Sequence, residues 1–284
     1  MSNSNQQLSV VETFRNLHKS GCFLIPNPFD LGSAVYLHHL GFKALATSSA
    51  GFAFTRGLPD DVDVIGLDVM LQHFREVAAA TPLPVNADFQ NGYADEPELV
   101  AQNVKLCVDT GVAGLSIEDR IPGASRQLYD DAIALERVKA AREAIDQSGI
   151  PVVLTARCEV YLVQKPAPFD FAVRRLTAFA DAGADCLYAP GVTDPDEIEA
   201  IVKAVAPRAV NVLAFRPDPN LSLANLTDLG VRRISVGSAL ARVGWTAFMK
   251  AASDIAETGE FTSLAENNSF AELNALFRQS TELS

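Results

Sequence analysis

The sequence predicts a (β/α)8 barrel, in which eight parallel strands alternate with helices around one core. Short apolar runs rich in β-branched residues alternate along the chain with longer segments of helical period. Several helical segments end at a glycine that leads directly into the next apolar run. The length of 284 residues suits a barrel with a few additional helices.

Eight apolar runs fit the strand pattern. In chain order they cover residues 22–25, 44–48, 84–88, 113–118, 151–157, 186–189, 209–214 and 233–236. The segments between them repeat apolar residues every three or four positions, which places those residues on one face of a helix. Val100, Val104, Cys107 and Val108 form one such face.

The joints between helix and strand repeat one pattern. Glycine suits the left-handed backbone conformation just past a helix end, so a glycine before an apolar run marks a helix-to-strand joint. These glycines are Gly41, Gly111, Gly149, Gly183 and Gly230. A doubly wound open sheet is the alternative, because periodicity does not show whether a sheet closes.

Two further helical segments follow the eighth run, at about 238–258 and 263–277. They exceed what one barrel needs. We therefore interpret residues 1–284 as one barrel domain, with about 238–284 forming additional C-terminal helices.

Composition argues against several classes of function. The formal charge of −12 would repel nucleic acid and anionic lipid surfaces. No apolar run approaches the roughly 18 residues of a membrane span, and residues 1–7 lack the pattern of a secretory signal. Four cysteines and four histidines are scattered without zinc or disulfide spacing. A soluble, cytoplasmic protein with a small-molecule ligand is the expectation.

Acidic residues stand at the ends of two neighbouring strands, where barrel enzymes place their chemistry. Asp88 ends the third run and Glu118 the fourth, so their carboxylates should converge. Such a pair shares a proton or binds a hard cation, and oxygen ligands favour Mg²⁺ or Mn²⁺. Asp60, in the loop after the second run, can join them through water; Asp61 and Asp63 are weaker candidates. A capped turn at Asp88 and a rim salt bridge at Glu118 are the structural alternatives.

Groups suited to an anionic substrate follow two other strands. Arg157 ends the fifth run and suits a carboxylate or phosphate clamp, with an internal ion pair to Glu159 as the alternative. The stretch “TSSAG” supplies small residues and backbone N–H groups at Ser49, Ala50 and Gly51, which can approach a carboxylate closely.

The loop at 121–129, “IPGASRQLY”, follows the fourth strand. It is either a lid that excludes water during reaction or an ordinary exposed loop. Arg126, Gln127 and Tyr129 in this loop are the candidates for a general acid or base, and no spacing separates them.

In this order, six phrases resemble the isocitrate lyase/PEP mutase superfamily, specifically its phosphonomutase-like branch. They are “LIPNPFDLGSAVYLHHLGFKALATSSAGFAFTRGLPD”, “NADFQNGYADEP”, “GLSIEDR”, “TARCE”, “YAPGVTD” and “GVRRISVGSAL”. The resemblance implies a barrel whose last helix is exchanged with a neighbouring subunit, in dimers or tetramers. It also implies a Mg²⁺ ion, held by acidic residues at the ends of strands three and four and chelated by an α-oxo acid.

The resemblance assigns roles residue by residue. The third-strand acidic motif falls on Asn86 and Asp88, the fourth-strand glutamate on Glu118, and the loop aspartate on Asp60. The stretch that receives the substrate carboxylate falls on Ser49, Ala50 and Gly51, and the fifth-strand arginine on Arg157. Asp88, Glu118 and Asp60 are thus the expected metal ligands. Arg157, Asp60 and Glu118 are the expected catalytic residues, with Asn86 and Arg157 among those that bind substrate.

Two departures refine the expected function. Lyases that cleave isocitrate and methylisocitrate carry a “KKCGH”-type loop with a catalytic cysteine, where this chain reads “RIPGASRQLYD”. The usual Asp-x-Asp also reads Asn86-Ala87-Asp88. The resemblance therefore implies a Mg²⁺-dependent lyase that breaks a C–C bond, or decarboxylates, a small α-oxo or α-hydroxy acid through an enolate. The alternatives are a phosphonomutase or phosphonopyruvate hydrolase acting at a C–P bond, and an inactive metabolite-binding barrel.

Overall fold

The computed structural model describes residues 3–123, 127–265 and 267–281. Its eight strands are all parallel and follow the order β1-β8-β7-β6-β5-β4-β3-β2. The strands are β1 (Phe23–Ile25), β2 (Leu45–Ala46), β3 (Val85–Asp88), β4 (Gly114–Glu118), β5 (Val153–Arg157), β6 (Cys186–Tyr188), β7 (Ala209–Leu213) and β8 (Arg233–Ser235). Each lies inside one predicted run, so the predicted strands are confirmed with slightly shorter ends.

Helices connect the strands and surround them. They are α1 (Asn3–Leu17), α2 (Leu31–His39), α3 (Ser49–Thr55), α4 (Leu67–Ala80), α5 (Pro97–Val108), α6 (Asp131–Ser148), α7 (Val160–Val163), α8 (Phe169–Asp181), α9 (Pro195–Val205), α10 (Leu223–Asp228), α11 (Ala239–Thr258) and α12 (Phe270–Thr281). All five predicted joint glycines have positive φ, between 72° and 98°. None of the described helices is long and apolar enough to cross a membrane.

The first and second strands close the sheet into a barrel, and this excludes the open doubly wound alternative. The Ala46 N–H donates to the Pro26 carbonyl oxygen at 3.1 Å across the gap between β1 and β2. The Asn27 side chain reinforces this junction, because its Nδ2 donates to the Thr47 carbonyl at 2.9 Å and its Oδ1 accepts from the Gly237 N–H at 2.8 Å. One buried amide thus joins β1 to both of its neighbours.

Helix α1 has no counterpart among the predicted elements. It covers the end of the barrel at which the strands begin: Gln7 donates to the carbonyls of Val108 and Val112, and Arg15 to that of Pro151. Its residue Phe14 is fully buried beside Gly114 at the start of β4. Because α1 covers the end at which the strands begin, the cavity inside the barrel opens toward the C-terminal ends of the strands.

The C-terminal helices differ in part from the prediction. Helix α11 matches the first predicted segment and ends at Gly259, which has φ of 70°. The predicted helix at 263–277 instead begins at Phe270, after a 3-10 turn at Thr262–Leu264. Ser269 and Glu272 form a reciprocal capping pair there, with Ser269 N–H donating to Glu272 Oε2 at 2.8 Å.

Candidate active site

The “TSSAG” stretch leaves β2 and begins α3 directly beside Asp88. Ser48 caps the helix, with its Oγ accepting the Gly51 N–H at 3.1 Å. Ser49 donates its N–H and its hydroxyl to Asp88 Oδ2, at 3.0 and 3.1 Å. The N–H groups of Ser49 and Gly51 are therefore already hydrogen-bonded within the protein, to Asp88 and Ser48. The Gly51 N–H is bonded by the helix cap Ser48, and the Ser49 N–H is bonded by Asp88 and helps to orient it.

The loop after β3 positions Glu118. Gln90 and Tyr93 adopt positive φ angles of 45° and 56°, which non-glycine residues rarely do. This turn directs the Gln90 carbonyl oxygen to the Glu118 N–H at 2.8 Å. The same loop thus follows Asp88 in sequence and anchors Glu118 in space, so the two carboxylates come from neighbouring strand ends.

Arg157 lies between these carboxylates rather than facing an open space. Its Nη1 is 2.7 Å from Asp88 Oδ1, its Nη2 is 3.0 Å from Glu118 Oε2, and its Nε is 2.8 Å from Glu159 Oε1. The Tyr188 ring lies 5.3 Å from the guanidinium carbon. The internal ion pair with Glu159 that the sequence left open is therefore present. Two more ion pairs accompany it.

The cluster nevertheless carries excess negative charge. Burial, together with Glu159, Asp88 and Asp60, raises the pKa of Glu118, and Arg157 offsets this only in part. Asp60 lies on an exposed loop at the mouth of the barrel, but desolvation of its carboxylate and the charge of Asp88 still raise its pKa. Three carboxylates thus contact one guanidinium, and the loop residue Asp60 adds a fourth carboxylate nearby.

A divalent cation suits this cluster by charge and by ligand chemistry, since every acidic ligand offers oxygen. The predicted ligands Asp88, Glu118 and Asp60 do not, however, surround one point. Among the residues that the structure describes, no three Asp, Glu, His or Cys side chains do so. Arg157 lies between Asp88 and Glu118 and thereby separates these two predicted metal ligands.

The structure describes two of the three candidates for a general acid or base, Tyr129 and Gln127. Tyr129 lies beside β3 and α5, with its hydroxyl donating to Asp95 and accepting from Asn91 Nδ2, and it does not line the cavity. Gln127 is exposed, and its carbonyl accepts the Ile121 N–H at 3.0 Å. Arg126 falls outside the described residues.

Asp61 and Asp63, the weaker metal-ligand candidates, lie at the mouth of the barrel. Asp61 accepts the Asp63 N–H at 2.9 Å, which is the role of a turn residue.

A second group of polar residues lies deeper in the same cavity. Arg233 of β8 and Asn211 of β7 point into the barrel, with Arg233 Nε donating to Asn211 Oδ1 at 2.9 Å. Asn86 also points inward, and its Oδ1 accepts from Arg233 Nη1 at 3.4 Å. Sequence reasoning missed Arg233 and Asn211, although a period of two in “RIS” and “VNV” places both on the face that carries Ser235.

One cavity of about 250 Å³ joins the two groups. Asp60, Asp88, Glu118 and Arg157 line its outer part. Asn86, Ser116, Asn211, Arg233 and Ser235 line its floor. This volume lies just below the usual range for pockets that hold drug-sized ligands, so it suits a small metabolite.

Comparison with known proteins identifies relatives over most of the chain. A family model described as phosphoenolpyruvate phosphomutase matches residues 14–256. An uncharacterized protein of Mycobacterium tuberculosis (strain H37Rv) is 33% identical over 267 residues, covering 93% of this chain and 95% of the relative. An oxaloacetate decarboxylase of Pseudomonas entomophila is 28% identical over 233 residues, covering 80% of this chain and 78% of the relative.

A solved structure extends the similarity to the fold. A crystal structure from Burkholderia cenocepacia J2315, provisionally named a lyase/mutase, superposes with a TM-score of 0.91 at 44% identity. The match covers 96% of this chain and 97% of that one. The similarity therefore includes the barrel, its additional helices and the strand ends that carry the acidic residues.

Proposed function

Since the chain belongs to the phosphoenolpyruvate phosphomutase family, within the isocitrate lyase/PEP mutase superfamily, we propose that it is a divalent-metal-dependent lyase. Its substrate would be a small α-oxo or α-hydroxy acid related to oxaloacetate or malate. The observation that carries this proposal is the oxygen-only, negatively charged cluster around Arg157 at the open end of the barrel. The similarity to an oxaloacetate decarboxylase supports the choice of substrate.

A divalent ion, with Mg²⁺ as the first choice and Mn²⁺ as the second, would be held by Asp88 with Glu118 or Asp60. When bound, it would supply Lewis-acid polarisation of the substrate carbonyl, an effect typically worth several kcal/mol. Mg²⁺ usually keeps several water ligands, so a site with few protein carboxylates is sufficient.

The protein's own residues would orient and protect the reacting group. Ser49 orients Asp88 through two hydrogen bonds. The guanidinium of Arg157 orients Asp88, Glu118 and Glu159 through one ion pair to each. In a decarboxylation, the C–C bond to the departing carboxylate breaks, CO₂ leaves, and the bonding electron pair moves into the neighbouring carbonyl to give an enolate. In a retro-aldol cleavage, the substrate hydroxyl loses its proton to a base and becomes the carbonyl of one product, and the electron pair of the broken C–C bond gives the enolate of the other product. Protonation of that enolate completes either a retro-aldol cleavage or a decarboxylation.

The loop after β4 narrows the choice of substrate. It reads “RIPGASRQLYD”, without cysteine, and the buried Cys158 lies on β5's side of the site with its pKa raised by burial. Cleavage of isocitrate or methylisocitrate through a loop cysteine is therefore not proposed. Phosphoryl transfer or hydrolysis at a C–P bond is the second candidate, because the matching family model is that of a phosphomutase.

An assay of two substrate classes tests the proposal. The protein is incubated with Mg²⁺ and oxaloacetate or 2-methylmalate, with release of pyruvate measured, and in parallel with phosphonopyruvate, with release of phosphate measured. We expect pyruvate above the metal-only blank, and its loss in EDTA. Release of phosphate from phosphonopyruvate, or its conversion to phosphoenolpyruvate, without pyruvate from the carboxylic acids would favour the C–P alternative. No turnover and no Mg²⁺-dependent thermal shift would favour an inactive binding barrel.

Replacing Asp88 tests the assignment of the site. Asp88→Ala should lower metal-dependent turnover by at least about 100-fold, because it removes the expected ligand at the centre of the cluster. Asp146→Ala is the matched control, since that aspartate lies on α6 with an exposed carboxylate paired to Arg142. An unchanged rate in Asp88→Ala would refute the assignment.

We also propose an oligomer in which C-terminal helices are exchanged between subunits. Ala241 is the one buried residue of the 20 in α11, while Val243, Phe248 and Met249 are at least 60% exposed. Large exposed apolar surfaces of this kind usually mark interfaces. Light scattering on the purified protein should give a dimer or tetramer; a monomer would contradict the proposal.

A further inference from the structure

Arg233 is a buried cation without an anionic partner. Its side chain belongs to a residue that is 3% exposed. Its Nε donates to Asn211 Oδ1 at 2.9 Å and its Nη2 to Thr155 Oγ1 at 3.1 Å. Its Nη1 meets only distant neutral groups, Asn86 Oδ1 at 3.4 Å and His18 Nε2 at 3.5 Å. Within the described ranges, no Asp or Glu lies within 4.0 Å of its guanidinium nitrogens.

Asn86 explains why this charge is not neutralised. Its Nδ2 donates to the Ala87 carbonyl at 3.1 Å, which turns Oδ1 toward Arg233. An aspartate at this position would place a carboxylate against the guanidinium. The neutral residue in Asn86-Ala87-Asp88 therefore leaves a full positive charge inside the barrel, and an uncompensated buried charge is costly unless a ligand pairs with it.

The position of Arg233 matches the far end of a short substrate. Arg233 bonds Thr155, which precedes Arg157 by two residues on β5. Two residues along a strand span roughly 6.6 Å, so Arg233 lies about one inward-facing layer below the Arg157 cluster. Both layers line the same cavity. A small acid bound at the outer cluster can thus present its other end to Arg233.

The outer arginine cannot serve this purpose. Arg157 already contacts three carboxylates, so its donors are occupied, and an anionic group beside it needs a metal ion to offset their charge. Arg233 supplies an unneutralised positive charge at the floor of the cavity, whereas Arg120, which also lines the cavity, lies near Asp60 at its mouth. We propose that Arg233 binds the second, distal anionic group of the substrate at the floor of the cavity and so selects a diacid over a monoacid. This inference rests on the proposed function for the reacting end of the substrate.

A matched pair of ligands tests the proposal. (S)-Malate and (S)-2-hydroxybutyrate share four carbons and an α-hydroxy acid, and differ in having a distal carboxylate or a methyl group. Their dissociation constants are measured calorimetrically with Mg²⁺ present, for the wild type and for Arg233→Gln. We expect the wild type to prefer malate by about tenfold or more, the scale of a charge-assisted hydrogen bond. Arg233→Gln should reduce this preference to about twofold or less, with 2-hydroxybutyrate binding unchanged.

Further variants separate charge from packing. Asn86→Asp should lose the malate preference while Arg233 is intact, because the new carboxylate pairs with the guanidinium. This variant also decides the case if Arg233→Gln does not fold. Arg232→Gln is the control, since the guanidinium of Arg232 points outward and donates to the Gly21 carbonyl. Phosphonopyruvate in the same titrations shows whether a carboxylate or a phosphonate is the preferred distal anion.

The outcomes distinguish this inference from the proposed function. A wild type without malate preference, or a preference retained in both Arg233→Gln and Asn86→Asp, would overturn the inference. An Arg233-dependent preference without turnover of any acid would leave the inference standing and refute the lyase. Turnover of a diacid, with an unchanged malate preference in both variants, would support the lyase and overturn the inference about Arg233.

Discussion

Two buried arginines in one barrel have opposite surroundings. Arg157, at the open end, contacts Asp88, Glu118 and Glu159. Arg233, about one layer deeper, is held by the neutral side chains of Asn211, Thr155 and Asn86. The first arrangement is an acid cluster that attracts a cation, and the second is a cation that attracts an acid. Polarity along the barrel axis thus matches a substrate with a metal-binding end and an anionic end.

Removal of Arg157 should produce the largest change in stability. Arg157→Met leaves three carboxylates without their cation, and breaking a buried ion pair in this way costs about 3–5 kcal/mol. The loss in the free energy of unfolding should appear in urea titration at pH 8. Arg15→Met is the control, because its ion pair with Asp185 is partly exposed and should contribute less than about 1 kcal/mol. Equal losses in the two variants would mean that the cluster is not a buried network.

Gly114→Ala tests how tightly the deeper layer is packed. An added Cβ would lie 2.7 Å from Phe14 Cε1 and 2.9 Å from Asn86 Oδ1. Overpacking of this kind costs about 1–3 kcal/mol, and it should also disturb the contact between Asn86 and Arg233. Gly66→Ala is the matched control, since its Cβ would meet no atom within 4 Å. Stability equal to that of the control would show that the floor of the barrel adjusts freely.

The deeper layer should also be sensitive to acid. Burial, then Arg233, lowers the pKa of His18 from 6.5 to about 3, and its other charged neighbours are Asp185 and Arg15. Because the folded pKa lies below the unfolded value, the neutral histidine's contribution is complete above 6.5 and is lost as pH falls toward 3. Acidification from pH 7 to 5 should therefore cost up to roughly 2 kcal/mol at this residue.

His18→Gln isolates that contribution, since glutamine does not titrate and can still accept from Arg233. Thermal unfolding at pH 5 and pH 7 should show a smaller pH-dependent loss in this variant than in the wild type. His39→Gln, on the exposed end of α2, should behave as the wild type. An identical pH dependence in all three proteins would exclude His18 as the source.

Ser49→Ala should give the smallest effect on the outer layer. It removes one of two hydrogen bonds to Asp88 Oδ2 and leaves the Ser49 backbone N–H in place. A net hydrogen bond to a charged group contributes about 1.5–3 kcal/mol, and the retained N–H limits the loss to the lower end. The expected result is a moderate fall in Mg²⁺ affinity, measured by calorimetry, with a loss of about 1.5 kcal/mol in the free energy of unfolding. A loss as large as that of Asp88→Ala would mean that Ser49 itself contacts the metal or substrate.

The sequence by itself determined the eight strands and the outer acids, whereas the closure of the sheet into a barrel was decided by the structure. Period-two and period-3.6 patterns marked the strands and most helices, and the glycine joints fixed where helices end, because these signals are local. Strand-end positions then brought Asp88 and Glu118 to one place, since parallel strands share a carboxyl edge.

Tertiary structure decided the direction in which charged groups face. The sequence placed Arg157 at a strand end, but only the fold shows that three carboxylates occupy its donors. Arg233 lay inside a run interpreted as a strand, and its neutral surroundings come from strands β3, β5 and β7, far apart in the chain. Side-chain pairing across a closed barrel depends on strand stagger, which no local pattern encodes. That is why the acid cluster could be predicted and the isolated cation beneath it could not.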